Sequence, residues 1–174
     1  MLKLERFERK YFTALKEWVT DERLMAQWCG GTFTWPLDDA QLEGYLESMK
    51  QGCDFGYAAL DGRNSPVGHI RIGRLDRENK TAVIMCVLIA PQHRGKGYGK
   101  AMTALAVERA FTILGIGTLA LNVFTFNTTA IKTYEALGFR QVEYKQDSFD
   151  FKDEKWDKIK MKLEKMDWAE ARRK

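Results

Sequence analysis

The stretch TAVIMCVLIAPQHRGKGYGK, residues 81–100, joins an apolar run to a basic loop that is rich in glycine. Residues 81–90 contain no charged side chain, and this composition predicts a strand that is buried on both faces. Pro91 ends the strand, and from Tyr98 to about Leu114 apolar residues recur at helical spacing. This segment therefore predicts a buried strand, a loop rich in glycine and a helix, in that order.

The loop itself has the composition of an anion site. Its three glycines, at positions 95, 97 and 99, remove Cβ atoms that would keep a ligand away from the backbone. Free amides at a helix start and the helix dipole favour a negative group, and Arg94, Lys96 and Lys100 add positive charge. The loop is predicted to bind a phosphate or pyrophosphate group. The alternative interpretation is that it is a solvated surface loop without a ligand.

Two familiar nucleotide-binding loops do not fit this segment. A Walker A loop needs glycine where Arg94 stands, and serine or threonine where Ala101 follows the lysine. A Rossmann loop that begins at Gly95 needs its third glycine at Lys100. The segment therefore does not match either motif.

Patterns along the rest of the chain predict a mixed α/β sheet in one domain, residues 1–174, with no linker or repeat. Residues 167–174 are interpreted as a frayed tail. Asp21 and Asp38 are predicted helix caps. The predicted strands are 2–6, 55–60, 67–75, 118–124, 139–145 and 156–165, and the further helices span 8–18, 21–28, 38–49 and 127–137.

Composition excludes several classes of protein. The chain has 174 residues, 45% hydrophobic and 30% charged, which are globular proportions, and its net charge of +4 is too small to argue for nucleic acid. Its longest apolar run has about half the length of a membrane helix. Three cysteines without CxxC spacing argue against a disulfide framework or a structural zinc site. With no signal peptide at its start, the sequence predicts a cytoplasmic protein.

Two blocks carry a resemblance to a known family. Residues 94–99, RGKGYG, fit the pattern [RQ]xxGx[GA], and residues 121–139 carry Asn127, Ala130, Tyr134 and a terminal Gly-Phe pair at matching spacing. In this order, the blocks resemble the GNAT superfamily of acyl-CoA N-acyltransferases. The resemblance implies a mixed, mostly antiparallel sheet of about seven strands flanked by helices, with strands 4 and 5 splayed apart.

The resemblance also implies roles for particular residues. Tyr134 would protonate the departing thiolate, and a phenol, with a pKa near 10, holds its proton at pH 7. A backbone N–H of the fourth strand would stabilise the charge on the acetyl oxygen. No metal is expected. The residues implied to contact acetyl-CoA are Val87, Leu88, Ile89, Arg94, Gly95, Lys96, Gly97, Tyr98, Gly99, Lys100, Asn127, Ala130, Lys132 and Tyr134.

The general base and the acceptor pocket are less well defined. Many relatives place a glutamate on the fourth strand, but residues 81–90 contain no acid. His69 has a suitable intrinsic pKa and is the candidate catalytic base, beside a water relay and the carboxylates at positions 54, 76 and 78. Trp28 and Trp35 bracket a Gly-Gly loop in the region where relatives bind the acceptor, so they are candidate substrate residues.

The sequence thus predicts an acetyl-CoA-dependent N-acetyltransferase that works by direct transfer in a ternary complex. The acceptor would be a small amine, such as a polyamine, an amino sugar or an amino acid, or else a protein N-terminus. No nucleic-acid or membrane partner is expected, and a homodimer is compatible with the sequence. The alternative is a non-catalytic CoA-binding or sensing module. The absence of an acidic residue from the predicted fourth strand favours this alternative, and the presence of Tyr134 argues against it.

Overall fold

Residues 1–173, which the computed structural model describes, fold into seven strands and six α-helices. The strands are β1 (Lys3–Arg6), β2 (Phe55–Leu60), β3 (Pro66–Asp76), β4 (Thr81–Ile89), β5 (Thr118–Phe124), β6 (Arg140–Phe151) and β7 (Glu154–Glu164). The helices are α1 (Phe12–Trp18), α2 (Glu22–Cys29), α3 (Asp39–Gln51), α4 (Tyr98–Thr112), α5 (Thr128–Glu135) and α6 (Lys165–Ala171).

The strands form one mixed sheet in the order β1-β2-β3-β4-β5-β7-β6. Every neighbouring pair is antiparallel except β4 and β5. The parallel ladder between these two strands runs from Thr81 and Thr118 to Ile84 and Leu121 and then stops. Beyond that point β4 pairs only with β3, and β5 only with β7. The predicted sheet and the predicted splay between strands 4 and 5 are both confirmed.

A bulge in β4 lies just beyond the last parallel pair. Two residues, Cys86 and Val87, oppose the single residue Ile70 of β3, and Cys86 has a left-handed φ of 52°. An extra residue reverses the faces to which the following side chains point. Accordingly Ile84 packs in the core beneath α4, whereas Leu88 packs in the core beneath the N-terminal helices.

The helices cover both faces of the sheet. α4 and α5 lie over one face, where Met102 and Phe111 are fully buried, and α1, α2 and α3 lie over the other. The two predicted caps are present, since the carboxylates of Asp21 and Asp38 accept hydrogen bonds from backbone amides in the first turns of α2 and α3. No helix within residues 1–173 has the length and hydropathy needed to cross a bilayer.

Three local predictions need correction. Most of the predicted tail is helix α6, which is held because Trp168 packs against Phe111 with 5.3 Å between ring centroids; Lys174 lies outside the described residues. The hairpin of β6 and β7 is longer than predicted. Strand β4 does pack against both cores, but every second residue is only half-buried, and several of these, such as Val87, face the cavities described next.

Candidate active site

The gap between β4 and β5 opens into two adjoining cavities. The loop cavity, about 640 Å³, lies against residues 93–100, and the strand cavity, about 440 Å³, lies between the diverging strands. Both volumes suit small-molecule sites. Five residues line both cavities and mark their junction: Gln27, Trp28, Val87, Asn127 and Tyr134.

The glycine loop shapes one end of the loop cavity. Gly97 is the N-cap of the 15-residue helix α4 with φ +81°, and Gly95 has φ +72°. A Cβ at either position would meet no atom within 4 Å, so both glycines leave open space above the backbone. The Arg94 Nε donates to the carbonyl of Ile89 at 3.1 Å, which closes the loop on the end of β4. Backbone amides at a helix start therefore border an accessible cavity, as an anion site requires.

Most of the sequence-predicted CoA contacts come together here. The loop cavity is lined by Val87, Leu88, Ile89, Arg94, Gly95, Gly97, Gly99, Lys100, Asn127, Ala130 and Tyr134. Three predicted residues do not line it. Lys96 donates to the carbonyl of Gln92 at 2.9 Å, Tyr98 packs on the core, and Lys132 is exposed on α5.

Three threonines of this cavity were missed by sequence reasoning. Thr103 lies one turn into α4, and Thr129 and Thr133 lie on α5 beside Ala130 and Tyr134. The available signal was helical spacing, because residues three and four apart share a face of a helix. Thr133 lies three residues after the predicted contact Ala130, and Thr103 lies four residues after the predicted contact Gly99, so both could have been found in this way.

Tyr134 stands where the two cavities meet. Its helix begins at Asn127, whose Oδ1 accepts a hydrogen bond from the amide of Ala130 at 3.3 Å. The ring is buried, and this burial raises the pKa of Tyr134 well above its ordinary value. The phenol is therefore protonated at neutral pH and can act as a proton donor.

The strand cavity contains four charged side chains that the motifs did not identify. They are Asp54, Arg71, Arg74 and Lys158. The Oδ2 of Asp54 accepts from Nε and Nη2 of Arg71 at 3.0 and 2.6 Å, and its Oδ1 accepts from the amide of Arg74 at 3.0 Å. The Arg71 guanidinium also lies 4.9 Å from the ring centroid of Tyr45. Asp54, with 6% of its surface exposed, is therefore an anchor for its neighbours.

Aromatic rings form the apolar wall of the strand cavity. Phe124 and Phe149 lie with ring centroids 5.5 Å apart, and Trp28 stands on the side of the N-terminal helices. The indole Nε1 of Trp28 is buried without a hydrogen-bond partner among residues 1–173. A buried donor without a partner destabilises the protein, and a bound molecule can relieve that cost.

Other predicted residues lie elsewhere. His69 is fully buried in the core on β3 and lines neither cavity, and neither does Trp35, which is 41% exposed. Asp76 accepts hydrogen bonds from Asn79 in the turn before β4. Within residues 1–173, no group of three or more histidine, cysteine, aspartate or glutamate side chains is arranged to hold a metal ion.

Comparison with known proteins places this geometry in a family. The model of the acetyltransferase (GNAT) family matches residues 8–139. Spermidine N(1)-acetyltransferase of Vibrio cholerae is 24% identical over 140 residues, covering 79% of this chain and 78% of that one. The uncharacterized N-acetyltransferase YycN of Bacillus subtilis is 29% identical over 143 residues, which cover 78% of this chain and 87% of that one.

A solved structure agrees with the fold. The crystal structure of the Vibrio cholerae spermidine N-acetyltransferase in complex with CoA and spermine superposes with a TM-score of 0.86 at 21% identity, over 97% of this chain and 98% of that one. The family model alone spans more than half of the sequence. The chain therefore belongs to the acetyltransferase (GNAT) family, as its two sequence blocks predict.

Proposed function

We propose that the protein transfers the acetyl group of acetyl-CoA to the primary amine of a small molecule, by direct transfer in a ternary complex. The observation that carries the proposal is the meeting of two cavities at Tyr134. One cavity ends at the glycine loop, where free space above the backbone suits an anion, and the other is lined by polar and aromatic side chains. A donor and an acceptor that enter from the two sides would meet beside a buried phenol.

The residues present fit acetyl-CoA, which supplies an activated acetyl thioester. Amides of the loop around Gly97 would hold the pyrophosphate, since a ligand can approach that backbone closely. Beyond Ile84 the edge of β4 that faces β5 is unpaired, so its backbone groups are available to the amide-bearing pantetheine arm. The side-chain amide of Asn127 lies at the junction, within the same path.

The proposed transfer uses two groups of the chain, the Tyr134 phenol and a backbone N–H of β4. The amine nitrogen bonds to the acetyl carbon, and the C–S bond breaks with its electron pair on sulfur. Tyr134 donates its phenolic proton to that thiolate and regains a proton from solvent. A backbone N–H at the β4 bulge, near Val87, would stabilise the charge that develops on the acetyl oxygen. The proton released by the amine passes to water.

Neither of the buried acid–base candidates suits the role of general base. His69 is enclosed in the core, and Asp54 is occupied by three hydrogen bonds. The other two candidates, Asp76 and Glu78, line neither cavity. Proton removal by water, without a side chain as the base, is therefore part of the proposal.

The same proposal covers the remaining predictions. Residues 1–174 would act as one N-acetyltransferase domain in the cytoplasm, and the three free cysteines suit that reducing setting. No metal, nucleic acid or membrane is needed. Whether two copies associate stays a prediction.

The proposal is tested by calorimetric titration with CoA, followed by thiol release from acetyl-CoA in the presence of a panel of small primary amines. Binding together with amine-dependent thiol release supports it. Binding without release from any amine or peptide N-terminus supports the non-catalytic CoA-binding module instead. Absence of CoA binding overturns both. The matched control is acetyl-CoA without amine, which measures hydrolysis.

A further inference from the structure

We infer that the strand cavity binds an amine that also carries an anionic group, a carboxylate or a phosphate, and that Arg71, Arg74 and Lys158 hold this group. The inference rests on the proposed function, because it names the class of acceptor for that reaction. It differs from the substrate in the name of the Vibrio cholerae relative, since spermidine carries only cationic groups.

The charges of the cavity favour an anion. Three cationic side chains and one carboxylate line it. The carboxylate, Asp54, is satisfied within the protein, and Arg71 uses two of its five N–H groups on it. Arg74 and Lys158 form no ion pair with any side chain of residues 1–173. The cavity therefore presents uncompensated positive charge to an entering molecule.

The backbone fixes this arrangement. Arg74 adopts φ +52°, an unfavourable conformation for a side-chain-bearing residue, where the pairing of β3 with β4 is irregular. Its amide is held by Asp54, and a Cβ at Gly73 would lie 2.5 Å from that carboxylate. Strained conformations persist where the surroundings over-determine them, and they concentrate at functional sites. Arg71 and Arg74 are thus attached to a backbone that Asp54 holds in place.

The acidic residues that could have favoured a polyamine lie elsewhere. Asp38, Asp39, Glu43 and Glu47 occupy one segment around α3, and none of them lines either cavity. Asp38 caps the helix, and the other three pair with lysine or arginine side chains. A polycation entering the strand cavity would meet like charge, and the single carboxylate there, Asp54, is already bonded to Arg71.

Positive surroundings also suit the chemistry of the amine. A nearby cation disfavours the ammonium form and lowers the pKa of the amine, which raises the fraction of neutral nucleophile. This effect assists a site in which water takes the proton. The walls of Phe124 and Phe149 suit an apolar body between the amine and the anionic group. One cationic cavity thus accounts for both anchoring and activation.

The test uses matched amines that differ in the anionic group. Phenylalanine is compared with phenethylamine and O-phosphoethanolamine with ethanolamine, and spermidine serves as the polycation. Two quantities are measured: kcat/KM for acetyl transfer, and calorimetric binding of each amine to the CoA-saturated protein. In at least one pair, we expect the amine that carries the anionic group to bind, and to exceed the partner that lacks this group about tenfold or more in kcat/KM. The pair that responds distinguishes carboxylate from phosphate.

Variants of two cationic residues test whether the strand cavity causes the preference for an amine with an anionic group. Arg74→Gln and Lys158→Gln should each lower, about two- to fivefold, the ratio of kcat/KM for the amine with the anionic group to kcat/KM for its partner without it, which is the usual scale for exposed charge pairs. Lys162→Gln is the control, because Lys162 lies four residues along β7 from Lys158 and lines neither cavity. Comparing this ratio between wild type and variant cancels the difference in amine basicity between the two members of a pair.

Failure of the inference is distinguishable from failure of the proposed function. Turnover of spermidine above every anionic amine, with ratios unchanged in Arg74→Gln and Lys158→Gln, overturns the inference and leaves acetyl transfer intact. Binding of an anionic amine without any turnover supports the cavity assignment and overturns the proposed function. Absence of both binding and turnover for the anionic amines overturns the inference.

Discussion

The Tyr45 hydroxyl and the His69 Nε2 lie 3.0 Å apart, within hydrogen-bond distance, and join α3 to β3 in the protein core. Phe7 packs on the imidazole with 4.5 Å between ring centroids, and Trp28 lies 6.0 Å away. Burial, with a smaller contribution from the Arg71 charge, lowers the pKa of His69 to about 3. The imidazole is therefore neutral at pH 7, and its position indicates packing and hydrogen bonding inside the fold.

This burial predicts that His69 makes stability depend on pH. In the unfolded chain its pKa is near 6.5, so that state binds a proton as the pH falls, while the folded state stays neutral until about pH 3. The contribution of His69 to the free energy of unfolding is fully present above pH 6.5. Between pH 6.5 and about pH 3 it decreases by on the order of 1 kcal/mol per pH unit. The free energy of unfolding, measured with urea at several pH values between 4 and 7, should depend less steeply on pH in His69→Gln than in the wild type. Equal slopes in the two proteins would contradict this account.

The same placement predicts that His69 is absent from the pH profile of catalysis. We expect kcat/KM to rise smoothly toward the pKa of the amine, with no limb near pH 6–7, in both wild type and His69→Gln. A limb near pH 6–7 that disappears in the variant would restore His69 as the base. Comparing the shapes of the profiles, rather than their heights, separates this effect from a loss of folded protein.

Tyr134→Phe tests the proton donor. The substitution keeps the ring and its packing and removes the acidic proton, so kcat should fall about 10²- to 10⁴-fold while CoA affinity is retained. Tyr144→Phe is the control, because that exposed tyrosine on β6 lines neither cavity. An unchanged kcat in Tyr134→Phe, in a protein whose turnover is limited by chemistry, would exclude this role.

Gly97→Glu tests the anion site. A side chain at φ +81° strains the backbone by about 1–2 kcal/mol and also fills the space above the loop. Gly115→Glu carries similar strain at φ +71°, also with no atom within 4 Å of its Cβ, but it lies beyond α4 and away from both cavities. We expect similar losses of stability, with a loss of CoA affinity of about tenfold or more only at Gly97. Equal affinities in the two variants would place the pyrophosphate elsewhere.

Asp54→Asn tests the anchor beneath the strand cavity. Removing the charge leaves the largely buried Arg71 guanidinium without its carboxylate, which should lower the free energy of unfolding by about 3 kcal/mol. Asp150→Asn removes one partner of an exposed pair with Lys155 and should change stability by less than about 1 kcal/mol. Comparable denaturation midpoints for the two variants would show that the buried pair contributes little.

Local patterns were sufficient for most elements of this fold. The apolar run before Pro91 and the periodicity after Tyr98 were sufficient to predict a strand and a helix, because each property depends on neighbouring residues. Caps at Asp21 and Asp38 were predictable for the same reason. The spacing of Asn127 and Tyr134 located the helix that carries the candidate acid.

The contents of the second cavity were decided by tertiary structure. Asp54, Arg71 and Lys158 are distant in sequence and belong to no motif. Asp54 meets Arg71 because β2 pairs with β3, and Lys158 shares their cavity because β5 diverges from β4 beyond Ile84. The bulge at Cys86 then reverses the faces of the residues that follow, since side chains alternate along a strand and one inserted residue changes their parity. The periodicity of apolar residues in the sequence indicates which residues can be buried. The pairing of strands that are distant in sequence decides on which face of the sheet a side chain lies and which charged side chains are its neighbours.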